Sequence, residues 1–140
     1  MDYDLTESLC NAAQRGVDVR IVTPGIPDKK NVKIMTKSSY PHLLEAGVRI
    51  FEYTPGFIHE KNVVSDDKYA VVGTINFDFR SLVHNYENAV WMYRTPTVDA
   101  TRDAFMDTLS KCEEIDANKS KLKFSEWVVR NTIKFIAPLM

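Results

Sequence analysis

Two neighbouring stretches of this chain combine charged or polar side chains with an apolar strand pattern: IHEKNVVSD at residues 58–66 and GTINF at residues 73–77. In the first stretch, His59 and Lys61 are two residues apart, and side chains on a strand alternate between its faces with period two. Both side chains should therefore project from the same face of the predicted strand. An imidazole beside an ammonium group is unfavourable in an apolar core but suits the binding of a phosphate. The pair predicts a phosphate site on this strand.

Composition places the chain among single-domain proteins. Its 140 residues are enough to bury a core without disulfides, and its 18 basic and 19 acidic residues give a net charge of −1. Near-neutrality argues against a nucleic-acid-binding protein with a broad positive field. Cys10 and Cys112 are too few and too far apart to indicate a disulfide framework or a zinc site, so we expect buried or half-buried thiols of a reducing compartment. No window reaches the ~20 apolar residues of a membrane-spanning helix, and we expect a soluble chain.

Along the rest of the chain, the apolar pattern switches repeatedly between helical and strand periodicity. It predicts helices over about 5–15, 28–40 and 98–115, and strands over 17–22, 48–53, 58–66 and 87–93, with one more strand running up to Asn76. The first helix should be capped by Asp4 or Thr6, and the second should start at Asp28 and break at Pro41. This alternation predicts an α/β fold in which a mixed β-sheet is flanked by α-helices, in α/β/α layers. Several aromatic side chains are expected mostly in the core: Phe77, Phe79, Tyr86, Trp91 and Tyr93.

The spacing His59-x-Lys61-x-x-x-x-Asp66, followed by Gly73-Thr74-x-Asn76, resembles the HKD motif of the phospholipase D superfamily. The similarity extends over nearly the whole chain, including residues 15–21, 44–50, 55–59, 76–81 and 136–140. Together these segments resemble the C-terminal half of a bacterial cardiolipin synthase. The resemblance implies one phospholipase D-like domain over residues 1–140, with a single HKD motif at 59–66 and a helical tail over about 119–140.

The resemblance also implies a reaction. A phosphatidyltransferase of this kind converts two phosphatidylglycerol molecules to cardiolipin and glycerol through a phosphohistidine intermediate, without a metal or other cofactor. His59 would serve as general acid and base, since the nucleophile of related enzymes is usually the histidine of the N-terminal motif. Lys61 and Asn76 would bind the non-bridging phosphate oxygens, where negative charge grows in the transition state.

Asp66, Glu87 and Ser81 complete the expected site. Asp66 lies seven residues from His59, so strand parity places it on the opposite face, and we interpret this motif residue as structural, closing the turn or pairing with a base. Glu87 matches the acidic position that orients a catalytic histidine in the family, and its alternative is an exposed acid at the start of a strand. Ser81 is expected to border the substrate-binding site. Two further histidines are interpreted as surface or packing residues: His42 and His84.

Members of the superfamily build one active site from two HKD motifs, whereas this chain has one. We expect a fragment of a longer protein, because a strand that should precede Asp2 is missing. The N-terminal half, with its own HKD motif, would then complete the site at the cytoplasmic side of a bacterial cell membrane. One alternative is a single-motif phosphodiesterase or nuclease that completes its site as a homodimer, although near-zero net charge counts against nucleic acid as substrate or partner. Another is a phosphate-binding module without turnover.

The C-terminal segment combines basic and apolar residues in a helical pattern. Its cations are Lys119, Lys121, Lys123, Arg130 and Lys134, and its large apolar residues include Phe124, Trp127, Val128, Ile133, Phe135 and Ile136. A helix of this kind can lie on an anionic membrane surface or pack its apolar side on a protein surface. We favour packing on this domain or on the other half, and keep the membrane surface as the alternative.

Overall fold

The computed structural model describes residues 1–27 and 29–116. Helices α1 to α4 span Tyr3–Gln14, Lys30–Ser38, Tyr40–Glu45 and Pro96–Ser110, and strands β1 to β6 span Arg20–Pro24, Arg49–Tyr53, Asn62–Ser65, Tyr69–Gly73, Ala89–Tyr93 and Cys112–Ile115. A π-helical turn, Arg80–His84, precedes β5. The α/β class predicted from the sequence is confirmed. The predicted tail helix and the predicted cap at Asp28 lie outside the described residues.

The strands form two three-stranded sheets rather than one continuous sheet. The first sheet is mixed, as expected: β1 and β2 are parallel, and β6 pairs with β2 in the antiparallel direction. The second sheet, in the order β3-β4-β5, is antiparallel throughout. Helix α4 contacts β2 of the first sheet and all three strands of the second, so this helix joins the two sheets.

The main apolar core lies where α1 and α3 meet the first sheet. Its buried members are Cys10, Tyr40, Leu43, Val48, Ile50 and Ile115. Burying a single Leu, Ile or Val side chain contributes roughly 1.5–3 kcal/mol, which is why a six-residue helix such as α3, too short to be stable alone, persists in this position. The two cysteines are free thiols, with Cys10 buried and Cys112 half-buried, as predicted.

Helix α1 is capped by Asp2, so the predicted caps at Asp4 and Thr6 are wrong. The Asp2 side chain accepts a hydrogen bond from Leu5 N at 3.2 Å, as an N-cap residue must. Thr6 instead donates its hydroxyl to Asp2 O at 2.6 Å. At the other end of the helix, Gly16 takes a φ of 91°, a left-handed conformation that glycine adopts without strain, and the predicted end of the helix near residue 15 is confirmed.

The predicted break at Pro41 is also confirmed. Helix α2 ends at Ser38, and α3 begins at Tyr40 with the proline in its first turn, where a missing amide N–H breaks no helical hydrogen bond. The change of direction turns Tyr40 into the core. Its hydroxyl donates to Glu52 Oε1 at 3.1 Å and lies 2.7 Å from Thr23 Oγ1, which links both strand ends to the helix pair.

The predicted helix over 98–115 is right for most of its length and wrong at its end. Helix α4 stops at Ser110, and residues Cys112–Ile115 form β6 on the open edge of β2. Pairing Ile115 with Ile50 buries both side chains in the core. Local periodicity cannot reveal this gain because the partner strand lies far away in the sequence.

The prediction that five aromatic residues lie mostly in the core is wrong. All five are exposed, from 39% for Phe77 to 107% for Tyr86. On β5, Trp91 and Tyr93 project from the face opposite Met92, which is the half-buried residue of this strand. Their rings stack on Tyr69 instead, with centroids 6.0 Å and 4.9 Å apart. Together with the half-buried Tyr69, they form an aromatic ladder on the second sheet.

Candidate active site

His59 lies on the connection between the two sheets, six residues after β2 ends at Tyr53. Strand β3 begins only at Asn62, so His59 and Lys61 precede the strand on which the sequence placed them. The imidazole is exposed and stacks on Phe57, with ring centroids 5.7 Å apart. Among the described residues, the ring nitrogens of His59 have no hydrogen-bond or ion-pair partner.

Lys61 is half-buried beside His59, and its Nζ donates to His59 O at 2.8 Å. Its own carbonyl accepts from Gly73 N at 3.1 Å, which extends the β3–β4 pairing by one residue and fixes the backbone. Burial lowers the pKa of the Lys61 ammonium, and the negative charge of Glu87 partly opposes that shift. Lys61 is therefore a partly desolvated cation, which interacts more strongly with an anion than a fully hydrated cation does.

Glu87 is held by three side-chain donors. Its carboxylate accepts from Ser81 Oγ, from Thr74 Oγ1 at 2.5 Å and from Asn85 Nδ2 at 3.1 Å. These hydrogen bonds, that of Ser81 foremost, lower the pKa of Glu87, and the charge of Lys61 adds to the effect. The carboxylate is thus an ionised, oriented group within electrostatic reach of Lys61.

Ser81 connects Glu87 to Asn76. Its side chain is buried, with 4% exposure, and its hydroxyl accepts a hydrogen bond from Asn76 N at 2.9 Å. Its own backbone N–H donates to Asp78 Oδ1 at 2.8 Å, which anchors the start of the π-helical turn. The exposed Asn76 amide is therefore positioned through its backbone by a hydroxyl that also holds the carboxylate.

Asp66 lies apart from these residues, in the turn between β3 and β4. Asp66 and Asp67 both take a φ of 53°, a left-handed conformation in which aspartate is enriched, and Lys68 N closes the turn on Ser65 O at 3.0 Å. Strand rise puts this turn on the order of 15 Å from Lys61, at the opposite end of the hairpin. The structure thus brings His59, Lys61, Asn76, Ser81 and Glu87 to one region and leaves Asp66 outside it.

Sequence reasoning gave no role to Thr74 or Asn85, which supply two of the three hydrogen bonds to Glu87. The strand register explains why Thr74 lies close to Glu87: Gly73 pairs with Ala89, so Thr74 lies opposite Asn88. Thr74 N donates to Asn88 O, and Asn88 N donates to Thr74 Oγ1. The sequence does contain a relevant feature: Gly73-Thr74 lies at the end of one strand, and the next strand starts two residues after Glu87. This feature predicts a contact between Thr74 and Glu87 only when the register of the two strands is known.

Comparisons with known proteins identify the family of this chain. The family model described as "Cardiolipin synthase, PLD-like domain" matches residues 1–109. This chain belongs to that family. Cardiolipin synthase 2 of Bacillus anthracis is 36% identical over 99% of the chain, and cardiolipin synthase of Halalkalibacterium halodurans is 36% identical over the same share. An uncharacterised protein of Streptococcus mutans is 43% identical over the whole chain. The predicted family resemblance is confirmed.

The chain spans less than a third of the length of these relatives: 27% and 28% of the two cardiolipin synthases and 31% of the streptococcal protein. Among solved structures, the phospholipase D family member Nuc from Salmonella typhimurium has a TM-score of 0.73 over 84% of this chain and 76% of its own, at 21% identity. That likeness establishes a phospholipase D fold for the cardiolipin synthase domain. Within the part of the chain that the structure describes, no helix is long and apolar enough to cross a membrane.

Proposed function

We propose that this chain supplies one half of the active site of a phosphatidyltransferase that makes cardiolipin and glycerol from two phosphatidylglycerol molecules. The observation that carries the proposal is the convergence of Lys61, Glu87 and the Asn76 loop beside His59, in a chain of the cardiolipin synthase family. The other half of the site, with a second histidine and lysine, would come from another part of a longer protein. The cardiolipin synthases that this chain matches are more than three times its length, which supports this assignment.

In this proposal the reaction has two displacements at phosphorus. A histidine of the other half attacks the phosphodiester of the first phosphatidylglycerol, and the P–O bond to glycerol breaks. His59 gives the departing glycerol oxygen a proton, then removes the proton from a hydroxyl of the second phosphatidylglycerol, which attacks the phosphohistidine and releases the histidine. The proton thus returns to His59 and the phosphatidyl group passes to the second phosphatidylglycerol, so the two histidines end the cycle unchanged.

The remaining residues would stabilise charge and position groups. The partly desolvated Lys61 ammonium suits the non-bridging oxygens of the phosphate, with the Asn76 amide as second donor. Ser81 would border the substrate-binding site and position Asn76 through the hydrogen bond from the Asn76 backbone N–H to its hydroxyl. Glu87 would keep Lys61 protonated and, once substrate and the other half are bound, orient a catalytic histidine. Asp66 would act only through the hairpin turn.

A chimera tests the role of His59. This chain replaces the segment that it matches in Bacillus anthracis cardiolipin synthase 2, and cardiolipin formation from phosphatidylglycerol vesicles is measured. The chimera should make cardiolipin, and His59→Gln should reduce its rate by at least about a thousandfold, since a proton-transfer group and the site geometry are lost together.

His42→Gln is the matched control, because it changes an exposed histidine whose only described partner is Glu7 on α1, at 2.7 Å. Its rate should stay within about twofold of the unsubstituted chimera. If the His59 and His42 variants retain equal turnover in a chimera that is active, His59 has no catalytic role.

A second candidate has one specific observation in its favour. The chain covers 76% of Nuc, so a phospholipase D fold of about this size exists as a separate chain. A phosphodiesterase assembled from two copies of this chain is therefore the alternative. For the cardiolipin synthase reading, the site works at a bacterial membrane surface, where phosphatidylglycerol is found.

A further inference from the structure

Helix α2 and the residue before it concentrate positive charge in a chain whose net charge is −1. From residue 29 to residue 44 the sequence has four lysines and no aspartate or glutamate. Lys29, Lys33 and Lys37 recur every four residues, which places them on one helical stripe. Val32 flanks this stripe and is 54% exposed. The stripe therefore combines cations with an exposed apolar side chain.

Two of these lysines are held in place by a carboxylate beneath them. Lys33 Nζ lies 3.5 Å from Glu52 Oε2 and Lys37 Nζ lies 3.8 Å from Glu52 Oε1. Glu52 is nearly buried and accepts a hydrogen bond from the Tyr40 hydroxyl. The side chains of Lys33 and Lys37 are 24% and 27% exposed, so both remain accessible from solvent. One carboxylate thus faces two ammonium groups from below, and the three lysines of the stripe carry two more positive charges than this one carboxylate neutralises.

This surface lies at the C-terminal ends of the parallel strands β1 and β2, from which the chain continues to His59. The two strand ends are joined there by a hydrogen bond from Gly25 N to Tyr53 O at 2.9 Å. Lys33 Nζ donates to Gly25 O, which ties α2 to the same loop. Two exposed apolar residues follow the strand ends, Ile26 after β1 and Phe57 after β2. We call Ile26, Lys29, Val32, Lys33, Lys37 and Phe57 the α2 edge surface.

The charge of the fold is asymmetric. Helix α4 carries aspartates four residues apart, Asp99, Asp103 and Asp107, all with more than half of their side chains exposed. Arg102 pairs with Asp99 and Asp103, and Lys111 pairs with Asp107, so these ion pairs join three acidic to two basic side chains. An anionic surface would therefore be attracted to the α2 side rather than to the α4 side. Lysines that are already fixed by Glu52 lose less conformational freedom on binding than free surface lysines do.

We propose that the α2 edge surface binds the anionic headgroup layer of a phospholipid membrane, with the lysines on the phosphates and with Ile26, Val32 and Phe57 at the boundary of the acyl region. The inference rests on the proposed phospholipid substrate and adds where the lipid surface meets the domain. It orients His59, two residues from Phe57, toward the bilayer that holds the substrate.

Vesicle sedimentation of the 140-residue chain tests the proposal, using vesicles of phosphatidylcholine alone or with phosphatidylglycerol or phosphatidylserine at equal anionic fraction. Lys29→Gln/Lys37→Gln should weaken binding to both anionic vesicles by on the order of tenfold, since each lysine near an anionic membrane raises the binding affinity several-fold. The matched control, Lys68→Gln/Lys111→Gln, removes the same charge from a hairpin turn and from the end of α4 and should leave binding nearly unchanged. The difference between the two variants should shrink in high salt.

Lys29→Gln/Val32→Ser serves as a second variant, because it leaves both contacts to Glu52 in place and should weaken binding in the same direction. Equal binding by the α2 variants and the control would overturn the proposal and assign any binding to another part of the chain. Binding that requires phosphatidylglycerol and ignores phosphatidylserine would overturn it as well, since an electrostatic surface does not distinguish them. The assay involves no turnover, so its outcome is independent of whether the chimera makes cardiolipin.

Discussion

The interaction between Lys61 and Glu87 is the most specific electrostatic feature of the site at the level of single residues. Burial favours the neutral amine of Lys61, and the carboxylate of Glu87 favours the ammonium. Glu87 can exert this influence because Ser81, Thr74 and Asn85 keep it ionised. The protonation state of one residue is therefore maintained by the hydrogen bonds of another.

Replacing Glu87 should shift the titration of Lys61. In Glu87→Gln the opposing charge is lost while burial remains, so the pKa of Lys61 should fall further below its usual value. Heteronuclear NMR titration of the Lys61 side chain measures this directly and requires no enzymatic activity.

Glu60→Gln is the matched control, since it neutralises an exposed acid next to Lys61 in sequence whose described side-chain partner is Asn62. The Lys61 titration should differ between the two variants, with the larger downward shift in Glu87→Gln. Identical curves would mean that Glu87 does not act on the lysine.

The candidate residues His59, Lys61 and Asn76 could be named from the sequence, because the HKD spacing and the GTIN stretch contain them. Glu87 and Ser81 could be named only through the family resemblance, and their hydrogen bonds could not be foreseen. Those bonds depend on the register of β4 against β5 and on the π-helical turn, and neither leaves a periodic signal in the sequence. Thr74 was overlooked for that reason.

At the level of elements, the close contact between the end of β4 and the start of β5 sets the position of the Thr74–Glu87 pair. A Cβ atom on Gly73 would overlap the carbonyl oxygen of Asn88 and lie 2.6 Å from Ala89 Cα. Both are backbone atoms, so no side-chain movement could relieve the overlap. Glycine is required here by the approach of the two strands, not by its φ angle.

Gly73→Ala should therefore lower the free energy of unfolding by about 1–3 kcal/mol, the usual cost of forcing extra atoms into a packed region. Urea denaturation of the two proteins measures the difference. Gly56→Ala is the control, because a Cβ there meets no atom within 4 Å. A loss for Gly73→Ala that matches the loss for Gly56→Ala would show that the strands can separate at little cost.

Element types were predicted better than their ends. Helix α1, the break at Pro41 and the strands β1 and β2 follow from periodicity and from glycine and proline positions, which are local signals. Strand β6 was assigned to the preceding helix, since Cys112–Ile115 becomes a strand only by pairing with β2. Strand β3 begins later than expected, because the apolar alternation from residue 58 includes a connection that has no neighbouring strand until Lys61.

At the level of the whole molecule, the exposed aromatic residues and the half-site raise the same question, namely which protein surface this domain contacts. A sequence pattern assigns Trp91 and Tyr93 to a buried strand, but within residues 1–27 and 29–116 their side of the second sheet stays open, at 70% and 48% exposure. Exposed aromatic surface of this kind is typical of a face that contacts another protein segment. The prediction failed because the composition of residues 87–93 indicates a strand but does not say whether either face of that strand is covered.

The chain on its own distinguishes the half-site from the homodimer. Analytical ultracentrifugation and a phosphodiester hydrolysis assay on one preparation should give an inactive monomer, because one histidine and one lysine cannot perform both displacements. The His59→Gln chain is measured alongside to reveal contaminating hydrolase. A dimer whose hydrolysis depends on His59 would contradict the half-site and favour the homodimeric phosphodiesterase.

The antiparallel position of β6 beside β2 also has a consequence for the order of folding during synthesis. The hairpin of β3 and β4 joins residues a few positions apart and can form in microseconds, whereas β6 meets β2 across a long separation, as the Arg49–Glu114 pair shows at 65 residues. On the ribosome, the hairpin next to His59 is complete while the partner of β2 has not yet been translated. The β3–β4 hairpin is thus expected to form early, and the unpaired side of β2 is the part that a nascent chain must protect longest.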